Sequence, residues 1–159
     1  MAYVMDYLQG RGVTFTVIPH AKASTAAGEA HALDLAAELV AKTVVVIANH
    51  GPALMVIPAS RKLDMTLAAA AVGDPEARLA TEHELERQFP DYELGALPPL
   101  SMMLLAPMYV DPTVAERDEI VFAAGRQDIS IKMATKDLFN TDPIVVAPIT
   151  TESGVAATK

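Results

Sequence analysis

Two adjacent apolar runs constrain this chain more than any other stretch. Thr43-Val44-Val45-Val46-Ile47 is β-branched throughout, Asn49-His50-Gly51-Pro52 supplies turn residues, and Ala53-Leu54-Met55-Val56-Ile57 follows. Branching at Cβ stiffens the side chain and suits a pleated surface, so both runs read as strands and the turn makes them a hairpin. Neither run alternates with polar residues. Both faces of the hairpin must therefore be covered, which places it inside a sheet rather than at a wet surface. Lys42 stands at the mouth of the first strand. A charge in that position either snorkels, its stem packed and its ammonium in water, or is kept there for a ligand.

The remaining elements surround that hairpin. Residues Ala2 to Gln9 read as a short amphipathic helix ended by Gly10-Arg11-Gly12, and Val13 to Ile18 as a strand closed by Pro19-His20. The alanine-rich segment Ser24 to Leu39, with Ser24 or Thr25 as N-cap and a break near Leu33-Asp34, predicts two short helices or one kinked helix. Glu29 and His31 within it are two apart, share no helical face, and read as solvated helix surface. A helix capped by Asp64 or Thr66 and stopped by Gly73 presents Leu63, Leu67 and its alanines inward. Ala77 to Ala80 forms a short strand, and Thr81-x-x-Glu84 is a capping box for a helix that buries Leu85 and Phe89. Met102 to Leu105 and Pro107 to Asp111 read as strands, Asp118 to Gly125 and Ile129 to Met133 as a closing hairpin, and Thr135 to Phe139 as a turn or two of helix. This is an α/β (α+β) pattern: one domain over residues 1–140, a mixed, curved β-sheet surrounded by short helices. Residues 141–159 are expected to be a C-terminal tail, mobile from Thr150 onward.

Composition removes several classes of function. With 159 residues the chain holds one core, and no run of about eighteen apolar residues is present, so no membrane span is expected. The first residues have no basic segment followed by an apolar block, which, with the absence of cysteine, fits a cytoplasmic protein. Twelve basic against 20 acidic residues give a formal charge of −8, which disfavours a broad phosphate-binding face and hence DNA as a partner. A protein that grips the end of an RNA in a small pocket remains compatible. Gly-x-Ser-x-Gly, P-loop, Gly-x-Gly-x-x-Gly and His-Glu-x-x-His patterns are missing. His20, His31, His50 and His83 show no ligand spacing, so neither a metal nor another cofactor is expected.

A second feature changes the weight given to Lys42. Gly95-Ala96-Leu97-Pro98-Pro99 is a Gly-x-x-x-Pro loop, in which glycine permits close backbone approach and the prolines stiffen the turn. Taken with Val40-Ala41-Lys42-Thr43, Ser60-Arg61-Lys62-Leu63-Asp64 and Val121-Phe122-Ala123-Ala124-Gly125-Arg126, its order and spacing resemble the YbaK / prolyl-tRNA synthetase editing-domain family, from the first helix to Leu138. The resemblance implies hydrolysis of the ester of a mischarged aminoacyl-tRNA, gripped by its acceptor end and assisted by the tRNA's terminal ribose hydroxyl.

Residue by residue, Lys42 matches the family's lysine after the helical segment and Gly95 the first glycine of its loop, so both are implied to be catalytic. Ile18, His20, Thr43, Ala96, Pro99, Gly125 and Ser130 are implied to line or approach the substrate. Two positions depart from the pattern. Ile18 stands where members often carry an aromatic, and Ser130 where some carry an aspartate, which leaves the amino acid edited open. A non-catalytic module binding an aminoacyl-adenosine-like ligand is the alternative, as is a hydrolase of small esters. At Gly95 a Cβ is expected to be excluded, with Gly95→Ala costing about 1 kcal/mol, more if φ is positive.

Overall fold

The apolar hairpin forms and is the centre of the molecule. In the computed structural model, which describes residues 3–151, the chain runs α1 (Tyr3–Gly10), β1 (Phe15–Pro19), α2 (Ala26–Leu33), a 3-10 turn (Ala37–Leu39), β2 (Ala41–Ala48), β3 (Gly51–Pro58), β4 (Lys62–Leu63), α3 (Met65–Val72), β5 (Arg78–Leu79), α4 (Glu82–Gln88), α5 (Ser101–Leu104), β6 (Met108–Val110), α6 (Pro112–Ala115), β7 (Glu119–Arg126), β8 (Ile129–Ala134), α7 (Thr135–Thr141), β9 (Val145–Val146) and β10 (Thr150–Thr151). Among the described residues, one sheet has the order β5-β2-β3-β6-β9, a second has the order β1-β8-β7, and β4 pairs with β10. The first sheet is mixed. β2 is antiparallel to β3 and β5, whereas β6 runs parallel to both β3 and β9.

Both faces of the hairpin are covered, as its lack of polar alternation demands. Ala41, Val45, Leu54 and Val56 pack on one side with Val4, Leu8, Leu100, Phe122 and Ile131. Val46, Met55 and Ile57 pack on the other with Ala68 and Ile149. Each such aliphatic side chain taken from water contributes about 1.5–3 kcal/mol, so this two-sided burial is the main anchor of the fold. The two sheets meet where Val40 bridges Val121 in parallel, and Ala26 and Ala30 of α2 pack over that junction. The start of β2 is thereby fixed beside β7 and beneath α2.

Local chemistry sets the helix ends. Thr25 caps α2 by accepting the Gly28 N–H, and Asp34 ends it in the left-handed region at φ 56°. Asp64 caps α3, Gly73 terminates it, and the Thr81/Glu84 capping box starts α4. Arg78 donates two hydrogen bonds of 2.8 Å to the Glu84 carboxylate, tying β5 to α4.

Four expectations need correction. Met102 to Leu105 is not a strand: Ser101 to Leu104 is one turn of helix, its start held by Asp142, which accepts the Met102 N–H at 2.9 Å and the Ser101 hydroxyl at 3.3 Å. A four-residue apolar run carries no period by which strand and helix differ, and Leu105 stops the turn at φ 55°. Leu67 points outward, the inward position being Ala68. Much of the segment read as a tail is integrated. Val145 and Val146 extend the main sheet, Ile149 is fully buried, and Asp111 accepts the Ile149 N–H at 2.9 Å and the Thr150 hydroxyl at 3.1 Å. A buried carboxylate 38 residues upstream in sequence holds that segment, which apolar periodicity cannot reveal. The mobility expected beyond Thr151 falls outside the described residues. Lastly, Glu29 is 3% exposed rather than solvated, because it follows Ala26 by three positions and so shares the face that packs on β7.

Candidate active site

A cavity of about 400 Å³ opens between the N-terminus of α2, the first half of β2, α4 and the Gly95 loop. The sheet edge explains its position. β5 pairs with β2 at Val46 and Ile47, leaving the edge from Ala41 to Val45 facing the cavity. The Ala80 N–H donates to the Val45 carbonyl at 3.0 Å, so Val45 directs its backbone groups to this edge. Backbone groups alternate in direction along a strand, and Thr43, two residues earlier, therefore directs its N–H and C=O the same way, into the cavity. The Thr43 hydroxyl is buried without a hydrogen-bond partner among the described residues. Orphaned polar atoms of this kind are uncommon in folded proteins.

Lys42 lines the same wall, half-buried. Burial first, and the nearby charge of Lys62 second, hold its ammonium below the ordinary lysine pKa. None of the ion pairs among the described residues involves it. The residue thus borders a concave, mostly apolar site.

The Gly95 loop forms the opposite wall. Gly95 has φ +76°, and a Cβ placed on it would lie 1.9 Å from the Ser24 carbonyl oxygen. The loop is thus pressed against the backbone that leads into α2, a closeness that needs glycine. Glu93 N–H donates to the Gly125 carbonyl and Gly125 N–H to the Ala96 carbonyl, both at 2.9 Å, which straps the loop to β7. Gly125, at φ +89°, gives way to the ring of Tyr92, whose Cδ1 would lie 3.1 Å from a Cβ there. Tyr92 in turn lines the cavity, with burial raising the pKa of its phenol and Asp91 adding to that.

Glu29 also lines the cavity. Burial raises the pKa of its carboxyl, against the opposing influence of a hydrogen bond to Ser130 and the charge of His20. Ser130 is fully buried, faces Ile18 across the β1–β8 ladder, and lies 2.8 Å from His20 Nε2.

Of the residues singled out from the sequence, Lys42, Thr43 and Gly95 come together on the cavity wall. Ile18, His20, Ala96, Pro99, Gly125 and Ser130 do not line it. Ala96 and Gly125 tie the loop to β7 and Pro99 is buried within it, while Ile18, His20 and Ser130 lie on the side of the second sheet, where Ser130 bonds Glu29 of α2. Sequence reasoning missed Glu29, Tyr92 and the apolar walls Phe89, Leu85, Leu79 and Leu97. The helical spacing of Ala26, Glu29, Ala30 and Leu33 was the signal that could have found Glu29. No histidine lines the cavity, so its hydroxyls have no imidazole base beside them. Among the described residues no three His, Asp or Glu side chains are grouped to hold a metal. The set suits holding and polarising an ester more than covalent attack on one.

Comparison with known proteins agrees with this geometry. The family pattern described as "Aminoacyl-tRNA editing domain" matches residues 20–141. A solved structure of a candidate trans-editing enzyme for prolyl-tRNA synthetase superimposes with a TM-score of 0.78 at 25% identity, over 92% of this chain and 94% of that one. The hypothetical protein APE2540 superimposes with a TM-score of 0.83 at 24% identity, over 92% and 98%. A candidate signal-transduction protein from Marinobacter aquaeolei shares the fold at 15% identity with a TM-score of 0.70, over 94% of this chain and 31% of that larger one. Comparison with curated protein sequences gives no match. The pattern covers most of the chain, including both walls that carry Lys42 and Gly95, and the protein belongs to the aminoacyl-tRNA editing domain family.

Proposed function

We propose that the protein is a trans-acting deacylase that hydrolyses the ester of a mischarged aminoacyl-tRNA. The observation that carries this reading is the meeting of Lys42 and Gly95, 53 positions apart in the sequence, in the lining of one largely apolar cavity. The aminoacyl-adenosine end enters between them. Water adds to the acyl carbon, the bond to the ribose oxygen breaks, and the ribose leaves as its hydroxyl with a proton delivered from the attacking water. The neighbouring ribose hydroxyl orients that water, since the cavity walls offer no imidazole. Lys42 and the Thr43 backbone N–H stabilise the negative charge that develops on the acyl oxygen, the kind of pre-placed interaction that is worth several kcal/mol in a site shielded from water. Phe89, Leu85 and Leu97 take the amino acid side chain.

The formal charge of −8 supports contact restricted to the acceptor end, because a broad grip on the phosphate backbone needs a basic face. Metal independence and a cytoplasmic location belong to the same reading; among the described residues no helix is long and apolar enough to cross a membrane. Incubating the protein with a panel of mischarged tRNAs and measuring ester loss tests the proposal. Rapid loss of at least one ester, reduced at least 10²-fold in Lys42→Ala, is the expected result. Tight binding of an aminoacyl-adenosine analogue with no turnover on any tRNA would favour the non-catalytic module, and turnover of small esters without tRNA would favour an ordinary esterase.

A further inference from the structure

We infer that Glu29 is the acceptor for the α-ammonium group of the substrate's amino acid, and that Ser130 and His20 are the positioning residues that hold it ready. The inference deepens the deacylase reading and rests on it. The hydrogen-bond chain that backs Glu29 supplies the argument. His20 Nδ1 lies 2.7 Å from the Ala21 carbonyl oxygen, which can only accept, so Nδ1 carries a proton. Nε2 lies 2.8 Å from the Ser130 hydroxyl oxygen, and the same hydroxyl is hydrogen-bonded to Glu29 Oε2.

One hydroxyl has one proton to give, and this restricts the chain to matched states. When Glu29 is a carboxylate, Ser130 donates to it, and His20 Nε2 must then donate to Ser130, so the imidazole carries both protons. When Glu29 is a carboxylic acid, it donates to Ser130, Ser130 donates to Nε2, and the imidazole is neutral. The total number of protons is the same in both. The chain therefore passes between a neutral form and a charge-separated form without exchanging a proton with water. Burial of Glu29 favours the neutral form in an empty cavity, consistent with the upward push on its carboxyl. A cation placed against Glu29 favours the charge-separated form.

The cavity selects which cation. Oε2 is taken by Ser130, and Oε1 has no hydrogen-bond partner among the described residues. Lys42 lines the same cavity and, among the described residues, forms no ion pair with Glu29. The other acidic side chain on the wall, Glu93, is exposed and accepts the Gln127 N–H at 2.6 Å. Lys42 repels a free cation, whereas a ligand whose ammonium-bearing carbon is bonded directly to the acyl carbon satisfies both ends at once. An α-aminoacyl ester is such a ligand. Contact of Ser24 with Gly95 and capping of α2 by Thr25 fix the helix, and with it the position of the carboxyl.

The test uses non-hydrolysable 3′-aminoacylamido-adenosine, with its amine free or acetylated, titrated calorimetrically into the wild type, Glu29→Gln and Ser130→Ala. The wild type is expected to bind the free amine at least 10-fold more tightly than the acetylated form. Glu29→Gln, which keeps the shape and an acceptor for Ser130, should lose most of that preference with little change in melting temperature, and Ser130→Ala should lose part of it. The ring nitrogens of His20, followed by NMR, should move toward the doubly protonated signature when the free amine binds and stay put with the acetylated one. Equal wild-type affinity for the two analogues, or a preference undiminished in Glu29→Gln, would overturn the inference while leaving the deacylase reading intact. Silence of the His20 signals would remove His20 and Ser130 from it. Failure to bind either analogue, together with failure to hydrolyse any aminoacyl-tRNA, would overturn both readings.

Discussion

Replacing Gly95 with alanine asks two things of the backbone at once. The residue sits at φ +76°, where an alanine is strained by about 1–2 kcal/mol. The added Cβ would also lie 1.9 Å from the Ser24 carbonyl oxygen, a backbone atom that cannot swing aside as a side-chain tip could. Relief needs a separation of about 1 Å or more between the loop and the start of α2, and forcing such a shift in packed structure costs a further 1–3 kcal/mol. Together these predict a loss of about 2–5 kcal/mol, larger than the sequence alone suggested, because the glycine's close neighbour was not visible there. At this chain length that corresponds to a fall in Tm of roughly 5–15 °C.

The functional cost follows from the same displacement. Ser24, Thr25 and Glu29 on one side and Gly95 on the other are walls of one cavity, so moving them apart by about 1 Å misplaces whatever they hold, and such an error can lower a rate by about 10²-fold. Circular dichroism melting and single-turnover deacylation on the same preparation give both numbers. A Gly95→Ala protein that melts with the wild type, or one that melts early yet deacylates normally at low temperature, would refute the reasoning.

Lys42→Ala is expected to slow deacylation by about 10²-fold or more, equivalent to about 2.7–4 kcal/mol, without unfolding the protein, and Lys42→Arg should rescue poorly because a planar fork does not replace a point charge. Since burial and Lys62 lower the pKa of Lys42, the active ammonium is lost as pH rises through a value below that of a free lysine; the alkaline limb of the rate profile should move up in Lys62→Ala, and an unmoved limb would count against the pairing. Full activity should survive exhaustive chelation, whereas loss restored by zinc would contradict the metal-free reading. For Asp111, burial pushes the carboxyl pKa up but hydrogen bonds from Thr113, Ile149 and Thr150 outweigh it, leaving a net lowering. Its contribution to stability is therefore present above the ordinary carboxylate pKa and lost as pH falls through the lowered one, and Asp111→Ala should remove that acid-side dependence in melting experiments.

The parts of the fold legible in sequence are those whose signal is local. The Thr43–Ile47 run, the Thr81/Glu84 capping box, the left-handed Gly73 and the Asp64 cap each combine residue type with the backbone geometry that residue favours, and each appears where expected. Met102 to Leu105 failed because four apolar residues carry no period, and a carboxylate about 40 positions away decides the outcome. The strands after Pro143 failed for the same kind of reason. β9 and β10 have two residues each, and what orders the segment is the hydrogen bonding of Asp111 to Ile149 and Thr150.

The site divides along the same line, and the division bears on how its charges work. Lys42 and Gly95 are singled out because the order and spacing of the motifs that hold them resemble a known family; a lysine at the mouth of a strand or a Gly-x-x-x-Pro loop alone is a weak signal. Glu29 could not be found by that route: a glutamate in an alanine-rich helix is an ordinary surface residue unless something across the molecule buries it. What buries it is β7 and β8, and Ser130 on β8 then supplies the hydrogen bond that a carboxyl at 3% exposure requires. A basic and an acidic side chain therefore reach one cavity from different layers of the fold, Lys42 from the edge of the main sheet and Glu29 through the helix backed by the second sheet. Were they to touch, they would neutralise each other and leave nothing for a ligand. Gly95 lets its loop rest against Ser24, on the backbone that leads into α2, the helix that carries Glu29.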